Sequence, residues 1–353
     1  MVPRVSCALG PMRTPSWAGK RVANATMKST RKKISIVTPC FNEEAGIAEC
    51  VAAVADIFRN ELPDYDLEHI FCDNASTDRT LSILKELARA NRSIKIIVNS
   101  RNFGILKNTY NGVLHASGDA VVLFLPADLQ DPPALIPQFV KLWEQGYEIV
   151  YGLRSERDED FLVRTARKLY YRLLSKLTYV EYPPDAGDFQ LVDRKVHDAM
   201  RRIDDAQPFM RMMTFESGFR SIGVKYRWLA RKHGKSHNRW SHMFEQGLNG
   251  IISFSGAPVR VALIAGLLIS LLSILYAIGV VVFVLLGRIH SPAGIPTLIA
   301  ALFFFGGVQI FFVGILGEYI LAIYNQVRRR PLVVERELVN FDDPTGDVPN
   351  DKP

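Results

Sequence analysis

Acidic and amide side chains follow several short apolar segments of this sequence, and their oxygen atoms suit a divalent cation bound to a phosphorylated ligand. Asp128 and Gln130 stand two positions apart in the segment A-D-L-Q-D-P-P, residues 127–133. Carboxylate and amide oxygens are ligands that Mg²⁺ and Mn²⁺ accept. Such a cation neutralises the negative charge of a bound diphosphate. The pattern therefore predicts a metal site at Asp128 and Gln130, completed by diphosphate and water; the alternative is a plain loop before a helix.

Two earlier segments carry side chains that suit a nucleoside. Phe41 and Glu43 lie in P-C-F-N-E-E, residues 39–44, and Asp73 opens D-N-A-S-T-D, residues 73–78. The Phe41 ring could pack beside a nucleobase, with Pro39 fixing the turn. Glu43 and Asp73 are acceptors for a pyrimidine N–H and for ribose hydroxyls. Core packing is the alternative for Phe41, and turn capping is the alternative for Asp73.

The elements that must position these side chains alternate along the chain from residue 34. Short, continuous apolar segments, which are typical of buried strands, alternate with segments whose apolar residues recur at helical spacing. This alternation predicts an α/β fold with a parallel sheet covered on both faces. The polar segments would then lie at the carboxyl ends of strands, where open α/β sheets bind ligands. Asp78 and Asp131 are predicted helix N-caps. The predicted strands are 34–38, 67–72, 94–99, 120–125 and 149–151, and the predicted helices are 45–59, 78–91, 105–116, 134–145 and 161–178.

Taken in order, these segments resemble the motifs of the family 2 glycosyltransferases, which have the Rossmann-like GT-A nucleotide-sugar fold. The segments G-L-R at 152–154, D-A-G-D-F-Q-L at 185–191 and R-K-H-G-K-S at 231–236 resemble the polyprenyl-phosphate sugar synthases within that family. The resemblance covers residues 34–339. It implies an inverting transferase that moves a sugar, with glucose from UDP-glucose as the first expectation, onto polyprenyl (undecaprenyl) phosphate. Other donors (GDP-mannose, UDP-N-acetylglucosamine or a UDP-aminopentose) and a non-catalytic subunit of a lipid-glycan export complex remain the alternatives.

The resemblance also implies roles for Arg231 and Asp188, and the chemistry of arginine suggests one for Arg154 and Arg164. Arg231 matches the diphosphate-binding arginine, and Asp188 matches an acidic position proposed as the general base. Asp188 and Asp128 are accordingly the catalytic candidates. A phosphate monoester is largely ionised near pH ~7 and needs little deprotonation, so Asp188 could instead position the sugar or orient Arg154. Arg154 and Arg164 are candidates for the acceptor phosphate, since the guanidinium fork matches phosphate oxygens; contact with the lipid surface is their alternative.

Two positions depart from the family pattern. Pro126 stands where the family usually has the first aspartate of the metal motif, and His237 replaces a lysine. Metal binding would then depend on fewer protein ligands than the motif implies.

Two long uncharged segments predict membrane spans. Residues 261–286 and 295–317 contain no charged side chain, and each is long enough for the ~30 Å hydrocarbon core at ~1.5 Å per residue. Basic residues flank the pair, so both ends are expected in the cytoplasm and the link at 287–294 outside, in the inner membrane. Glycines in the second segment would permit close helix packing, including between protomers of a homo-oligomer.

The distribution of charge along the chain bears on whether the protein binds nucleic acid. The net charge is +7, but residues 1–33 hold eight cations and no acid, and the rest of the chain is nearly balanced. This distribution argues against a basic nucleic-acid-binding face on the folded part. The predicted organisation is a disordered arm at 1–33, a GT-A domain at 34–239, an interfacial helix at 240–258, spans at 259–287 and 295–323, and a cytoplasmic juxtamembrane segment and tail at 324–353.

Overall fold

The computed structural model describes residues 31–156, 183, 186–203, 205–227, 294–328 and 330–341, with scattered residues between 259 and 286. The strands in this part of the chain are β1 Lys32–Cys40, β2 Tyr65–Asp73, β3 Ile94–Asn99, β4 Ala120–Val122, β5 Ile149–Glu156, β6 Ala186–Asp193, β7 Ser221–Arg227 and β8 Glu335–Val339. The helices are α1 Ile47–Asn60, α2 Thr80–Ala90, α3 Ile105–His115, α4 Ile136–Glu144, α5 Arg194–Arg202, α6 Met210–Glu216 and α7 Ile295–Val327, with a 3₁₀ turn at Pro133–Leu135. The predicted helix 161–178, the segment 240–258 and most of residues 1–33 and 259–287 lie outside the described residues.

The eight strands form one mixed sheet in the order β7-β5-β6-β4-β1-β2-β3-β8. Parallel pairing joins β1 to β2 and β4, β2 to β3, and β5 to β7. The sheet is therefore mostly parallel as predicted, but β6 runs antiparallel to both β4 and β5, and β8 runs antiparallel to β3. The prediction missed β6 because Gly187, Asp188 and Gln190 interrupt its apolar pattern.

Helices cover both faces of the sheet through apolar positions at helical spacing. In α1 the buried residues are Ile47, Cys50, Val54 and Phe58, three or four positions apart. Helix α3 approaches the strands so closely that a Cβ at Gly112 would lie 2.2 Å from the Cys72 sulfur. A side chain there would force α3 away from the carboxyl ends of β1 and β2.

Both predicted N-caps differ from the observed helix starts. Asp78 Oδ1 accepts the Thr80 N–H at 2.9 Å, one position before the observed cap of α2. Asp131 caps no helix, because the prolines that follow it form a 3₁₀ turn and α4 begins at Ile136. Its carboxylate contacts side chains of β5 and β7 instead.

The segment predicted as a cytoplasmic tail contributes a strand to the sheet. Val98 pairs with Glu337 across β3 and β8, and Asn340 donates to the carbonyls of Ala88 and Ile94, both at 2.8 Å. Lys85 Nζ lies 2.6 Å from the Glu337 carboxylate. The chain after α7 therefore returns to the catalytic sheet.

Helix α7 contains a candidate membrane span. Its 33 residues would extend about 50 Å at ~1.5 Å per residue. Within the described residues, one stretch, Phe304–Val327, is long and apolar enough to cross a bilayer, and none of it is buried. This matches the second predicted span.

Candidate active site

The loops that follow β1 and β2 meet at the carboxyl edge of the sheet, as the sequence predicts. Cys40 and Asp73 are register partners at the ends of these strands. The Thr77 N–H donates to Asn42 Oδ1 at 2.8 Å, and the Asn42 N–H donates to Ser76 Oγ at 3.1 Å. Asn42 has φ 56°, a conformation that asparagine tolerates better than most residues. These hydrogen bonds fix the loop after β1 against the loop after β2.

Asp73 presents a buried oxygen that the described residues leave unsatisfied. Its side chain is fully buried; Oδ2 accepts the Ser76 N–H at 3.3 Å, whereas Oδ1 has no hydrogen-bond partner in this part of the chain. Burial raises the pKa of Asp73, and hydrogen bonds from Ser76 and the charge of Arg336 oppose that rise. A buried acceptor without a partner costs free energy unless a ligand donates to it. Asp73 is therefore suited to accept an N–H or O–H of a ligand.

The other candidates of the first motif lie around Asp73. Pro39 is buried within β1, beside Cys72. Phe41 and Glu43 are half-buried just beyond the strand, and the Glu43 N–H donates to Thr80 Oγ1 at 2.8 Å. Phe41 is not among the fully buried residues of the core.

Three buried asparagines, Asn74, Asn99 and Asn108, form a hydrogen-bonded chain that the sequence analysis did not predict. Asn99 Nδ2 donates to Asn74 Oδ1 at 3.2 Å and to Asn108 Oδ1 at 2.7 Å. Asn108 in turn donates to the Cys72 carbonyl at 2.8 Å, and the Phe103 N–H donates to Asn74 Oδ1 at 2.9 Å. The available signal was an amide residue directly after β2 and another at the end of β3. Asn74 thereby holds the loop at 100–104 beside the end of β2.

The loop at 126–131 brings the predicted metal ligands to the same edge. Leu129 adopts φ 56°, and the Gln130 N–H donates to Asp128 Oδ1 at 3.1 Å. Asp128 is 9% exposed. Among the described residues no group of three or more His, Cys, Asp or Glu side chains forms a metal cluster. The donor set of one carboxylate and one amide oxygen fits a hard cation bound largely through a diphosphate.

Arg154 lies beside this loop, in a buried ion pair that the sequence did not predict. Arg154 Nη2 lies 2.9 Å from Asp131 Oδ2, and its Nε donates to Tyr226 Oη at 3.1 Å. Tyr226 also donates to Asp131, which is fully buried. Burial disfavours the Arg154 charge, but Asp131 and Tyr226 keep the Arg154 pKa above its ordinary value. The contacts hold the guanidinium in one place, close enough for its charge to act on Asp188.

Asp188 is held by Arg211, another residue that sequence reasoning missed. Arg211 Nε donates to Asp188 Oδ1 at 3.0 Å and Arg211 Nη2 donates to Asp188 Oδ2, which makes a two-pronged ion pair. Burial would raise the pKa of Asp188, but Arg211 and, more weakly, Arg154 hold it below the ordinary value. Asp188 is therefore an ionised, oriented carboxylate rather than a group close to titration. Arg164 and Arg231 lie outside the described residues.

Comparisons with known proteins agree with the predicted family. A family model described as glycosyl transferase family 2 matches residues 35–201. An uncharacterized glycosyltransferase of Bacillus subtilis, YkcC, is 36% identical over 301 residues, which is 85% of this chain and 92% of that protein. The bactoprenol glucosyl transferase of Shigella phage SfII is 35% identical over 301 residues, 85% of this chain and 96% of its own.

A solved structure shares a more distant likeness. Glucosyl-3-phosphoglycerate synthase from Mycobacterium tuberculosis, in complex with Mn²⁺, UDP and phosphoglyceric acid, aligns with a TM-score of 0.45 and 20% identity. The alignment covers 63% of this chain and 78% of that one.

Proposed function

The chain belongs to glycosyl transferase family 2, and we propose that it is an inverting transferase that moves a sugar from a nucleotide donor onto polyprenyl phosphate. We take glucose from UDP-glucose as the donor sugar and undecaprenyl phosphate as the acceptor. The observation that carries the proposal is the similarity to a bactoprenol glucosyl transferase over 85% of the chain. A match of that length includes most of the sheet and part of α7.

The donor nucleoside would bind at the β1 and β2 loops. The unsatisfied Oδ1 of Asp73 would accept the imide N–H of uracil, which satisfies a buried acceptor. The half-exposed Phe41 ring would pack against the base, while Glu43 would accept from ribose hydroxyls. Pro39 fixes the backbone where β1 ends, and Arg231 would hold the diphosphate.

Asp128 and Gln130 would hold Mg²⁺ or Mn²⁺ against that diphosphate. A bound divalent cation would neutralise charge on the leaving group. Asp131 is engaged with Arg154 and Tyr226, so Asp128 is the carboxylate of this loop proposed for the cation.

Transfer would proceed by in-line attack. An oxygen of the acceptor phosphate bonds to the anomeric carbon as the bond from that carbon to the diphosphate oxygen breaks, which inverts the anomeric centre. Arg164 would bind the acceptor phosphate through its guanidinium group. Arg154, whose guanidinium is held by Asp131 and Tyr226, would contribute its positive charge beside that phosphate. Because the acceptor phosphate is already ionised near pH ~7, we assign Asp188 to positioning rather than to proton removal.

The path of the chain supports a proposed membrane placement. We propose a two-helix hairpin in the inner membrane, spanning 259–287 and 295–323, with the catalytic domain and both termini in the cytoplasm. Strand β8 follows α7 and pairs with β3, so the catalytic sheet contains residues from before and after the hairpin. A chain that leaves one side of a bilayer and returns to it crosses an even number of times, which supports a pair of spans. Homo-oligomerisation through α7 is also proposed, since a Cβ at Gly314 or Gly317 would meet nothing within 4 Å.

A donor panel tests the proposed reaction. The full-length protein, purified in detergent, is mixed with undecaprenyl phosphate and one radiolabelled nucleotide sugar at a time, and the lipid-linked product is counted. We expect UDP-glucose to give product, and Asp73→Ala to raise the KM for that donor with a smaller effect on kcat. Product from GDP-mannose but not from UDP-sugars would overturn the donor assignment, and donor binding without turnover of any sugar would favour a non-catalytic subunit.

Cysteine labelling tests the orientation. Ser291→Cys should react in intact cells with a membrane-impermeant thiol reagent, whereas Thr345→Cys should react only after the cells are broken. The background needs only Cys7 replaced, because Cys40, Cys50 and Cys72 are buried. Labelling of Thr345→Cys but not of Ser291→Cys in intact cells would reverse the orientation and refute cytoplasmic access to the nucleotide sugar.

A further inference from the structure

A small polar cavity lies where the carboxyl end of α7 meets the catalytic domain, outside the site described above. Its volume is about 170 Å³. Among the described residues, the charged side chains that line it are cations, contributed by the first turn of α3 and by the chain at and after the end of α7. The lining residues are Lys107, Ala206, Gln207, Asn325, Arg328 and Arg330.

Local hydrogen bonds hold the walls of this cavity together. The Ala206 N–H donates to Gln326 Oε1 at 2.9 Å, which ties the loop before α6 to α7. The carboxylate of Asp205, in the same loop, accepts the Gln207 N–H at 2.9 Å. The Arg328 guanidinium lies 5.5 Å from the centre of the Tyr324 ring. Residues more than 200 positions apart thus form one basic recess.

The surroundings define the chemistry of an occupant. The last turns of α7, which lead into the cavity, expose large apolar side chains, with Ile323 62% exposed and Val327 72% exposed. An occupant that uses both the cations and this apolar surface has an anionic head and a hydrocarbon tail. A nucleotide sugar does not fit, because pockets for ligands of that size have volumes of about 300–1,000 Å³. A free phosphate ion would leave the apolar surface unused.

We propose that this cavity binds the phosphate headgroup of an anionic bilayer phospholipid. The proposal rests on the proposed membrane placement of α7 and not on the transfer reaction. Lys107 lies in the first turn of α3, directly after the loop at 100–104 that the buried asparagines hold. Gln207 precedes α6, which carries Arg211, the partner of Asp188. A lipid bound here would therefore fix two borders of the active site against the membrane surface.

Lipid titration of the full-length protein tests this site without requiring catalysis. Phosphatidylglycerol is titrated into detergent-solubilised protein, and bound lipid is counted by native mass spectrometry, with phosphatidylcholine as the neutral lipid. The triple variant Lys107→Gln, Arg328→Gln, Arg330→Gln should bind phosphatidylglycerol at least about tenfold more weakly than the wild type, because juxtamembrane cations attract anionic lipid. The matched control Arg59→Gln, Arg89→Gln, Lys195→Gln removes the same charge from exposed positions and should bind as the wild type does.

Further measurements distinguish a phospholipid headgroup from undecaprenyl phosphate and from inorganic phosphate. Both triple variants should unfold at the same temperature in neutral detergent. Weaker lipid binding by the cavity variant then cannot be attributed to loss of its fold. Equal phosphatidylglycerol affinity in all three proteins would overturn the proposal. It would also be overturned if undecaprenyl phosphate, rather than phosphatidylglycerol, were lost from the pocket variant, or if inorganic phosphate displaced the lipid at equal concentration. None of these outcomes depends on whether the protein transfers a sugar.

Discussion

Asp128→Asn should lower kcat by about 10²–10³-fold, the range seen when one group that stabilises transition-state charge is removed. Charge develops on the leaving diphosphate, and Asp131 is occupied by Arg154 and Tyr226. Pro126 offers no carboxylate, so the loop has no substitute ligand of that kind. The asparagine variant retains an Oδ1 that can accept the Gln130 N–H, as Asp128 does at 3.1 Å. The loop conformation is therefore expected to persist while the negative charge is lost.

The measurement is kcat at saturating donor and acceptor, with and without chelator. Asp56→Asn is the matched control, because that carboxylate is exposed on α1, where it pairs only with Arg59 among the contacts seen. The Asp56→Asn control should keep full activity. Excess EDTA should lower the kcat of the wild type as much as the Asp128→Asn substitution does. Full turnover in excess EDTA would refute the metal site, whatever the Asp128 variant shows.

The central sheet and its ligand edge could be predicted because their signals are local. Continuous apolar segments give β1, β2 and β3, and the polar residues that follow them lie at the carboxyl edge in any parallel arrangement. This reasoning predicts the position of Asp73 and Asp128 at that edge, and in the structure Asp73 Oδ1 is buried without a hydrogen-bond partner among the described residues. Their positions depend only on where each strand ends.

The partners of Asp131 and Asp188 could not be predicted, since they come from distant parts of the chain. Asp131 has the local pattern of an N-cap, but Arg154 lies 23 residues later on β5, and Tyr226, 95 residues later, is brought beside Arg154 by the pairing of β5 with β7. Arg211 lies on a short helix whose sequence carries no distinctive charge pattern. Strand β8 was missed for the same reason, because its pairing with β3 joins residues separated by α7. Tertiary contacts, rather than local propensity, decide each of these cases.

The second large effect concerns the Asp188–Arg211 pair. A general base works best when its pKa lies near the working pH, and removing one costs about 10²–10⁴-fold in rate. Arg211 holds the pKa of Asp188 below its ordinary value, which makes this carboxylate a weak base at neutral pH. We therefore expect Asp188→Asn to lose less kcat than Asp128→Asn. We also expect its rate to level off above pH ~7, as the wild type does when the acceptor phosphate finishes ionising.

A double-mutant cycle separates positioning from proton transfer. If the ion pair acts as one positioning unit, Arg211→Gln should reduce kcat about as much as Asp188→Asn, and the double variant should be little worse than either, because residues in direct contact are strongly non-additive. Arg211→Lys should recover part of the loss by restoring the charge, though not the two-pronged geometry. Base catalysis predicts a different pattern. Asp188→Asn would then be more damaging than Asp128→Asn, its rate would climb with pH where the wild type is flat, and Arg211→Gln would keep a working base whose pKa has risen toward its ordinary value.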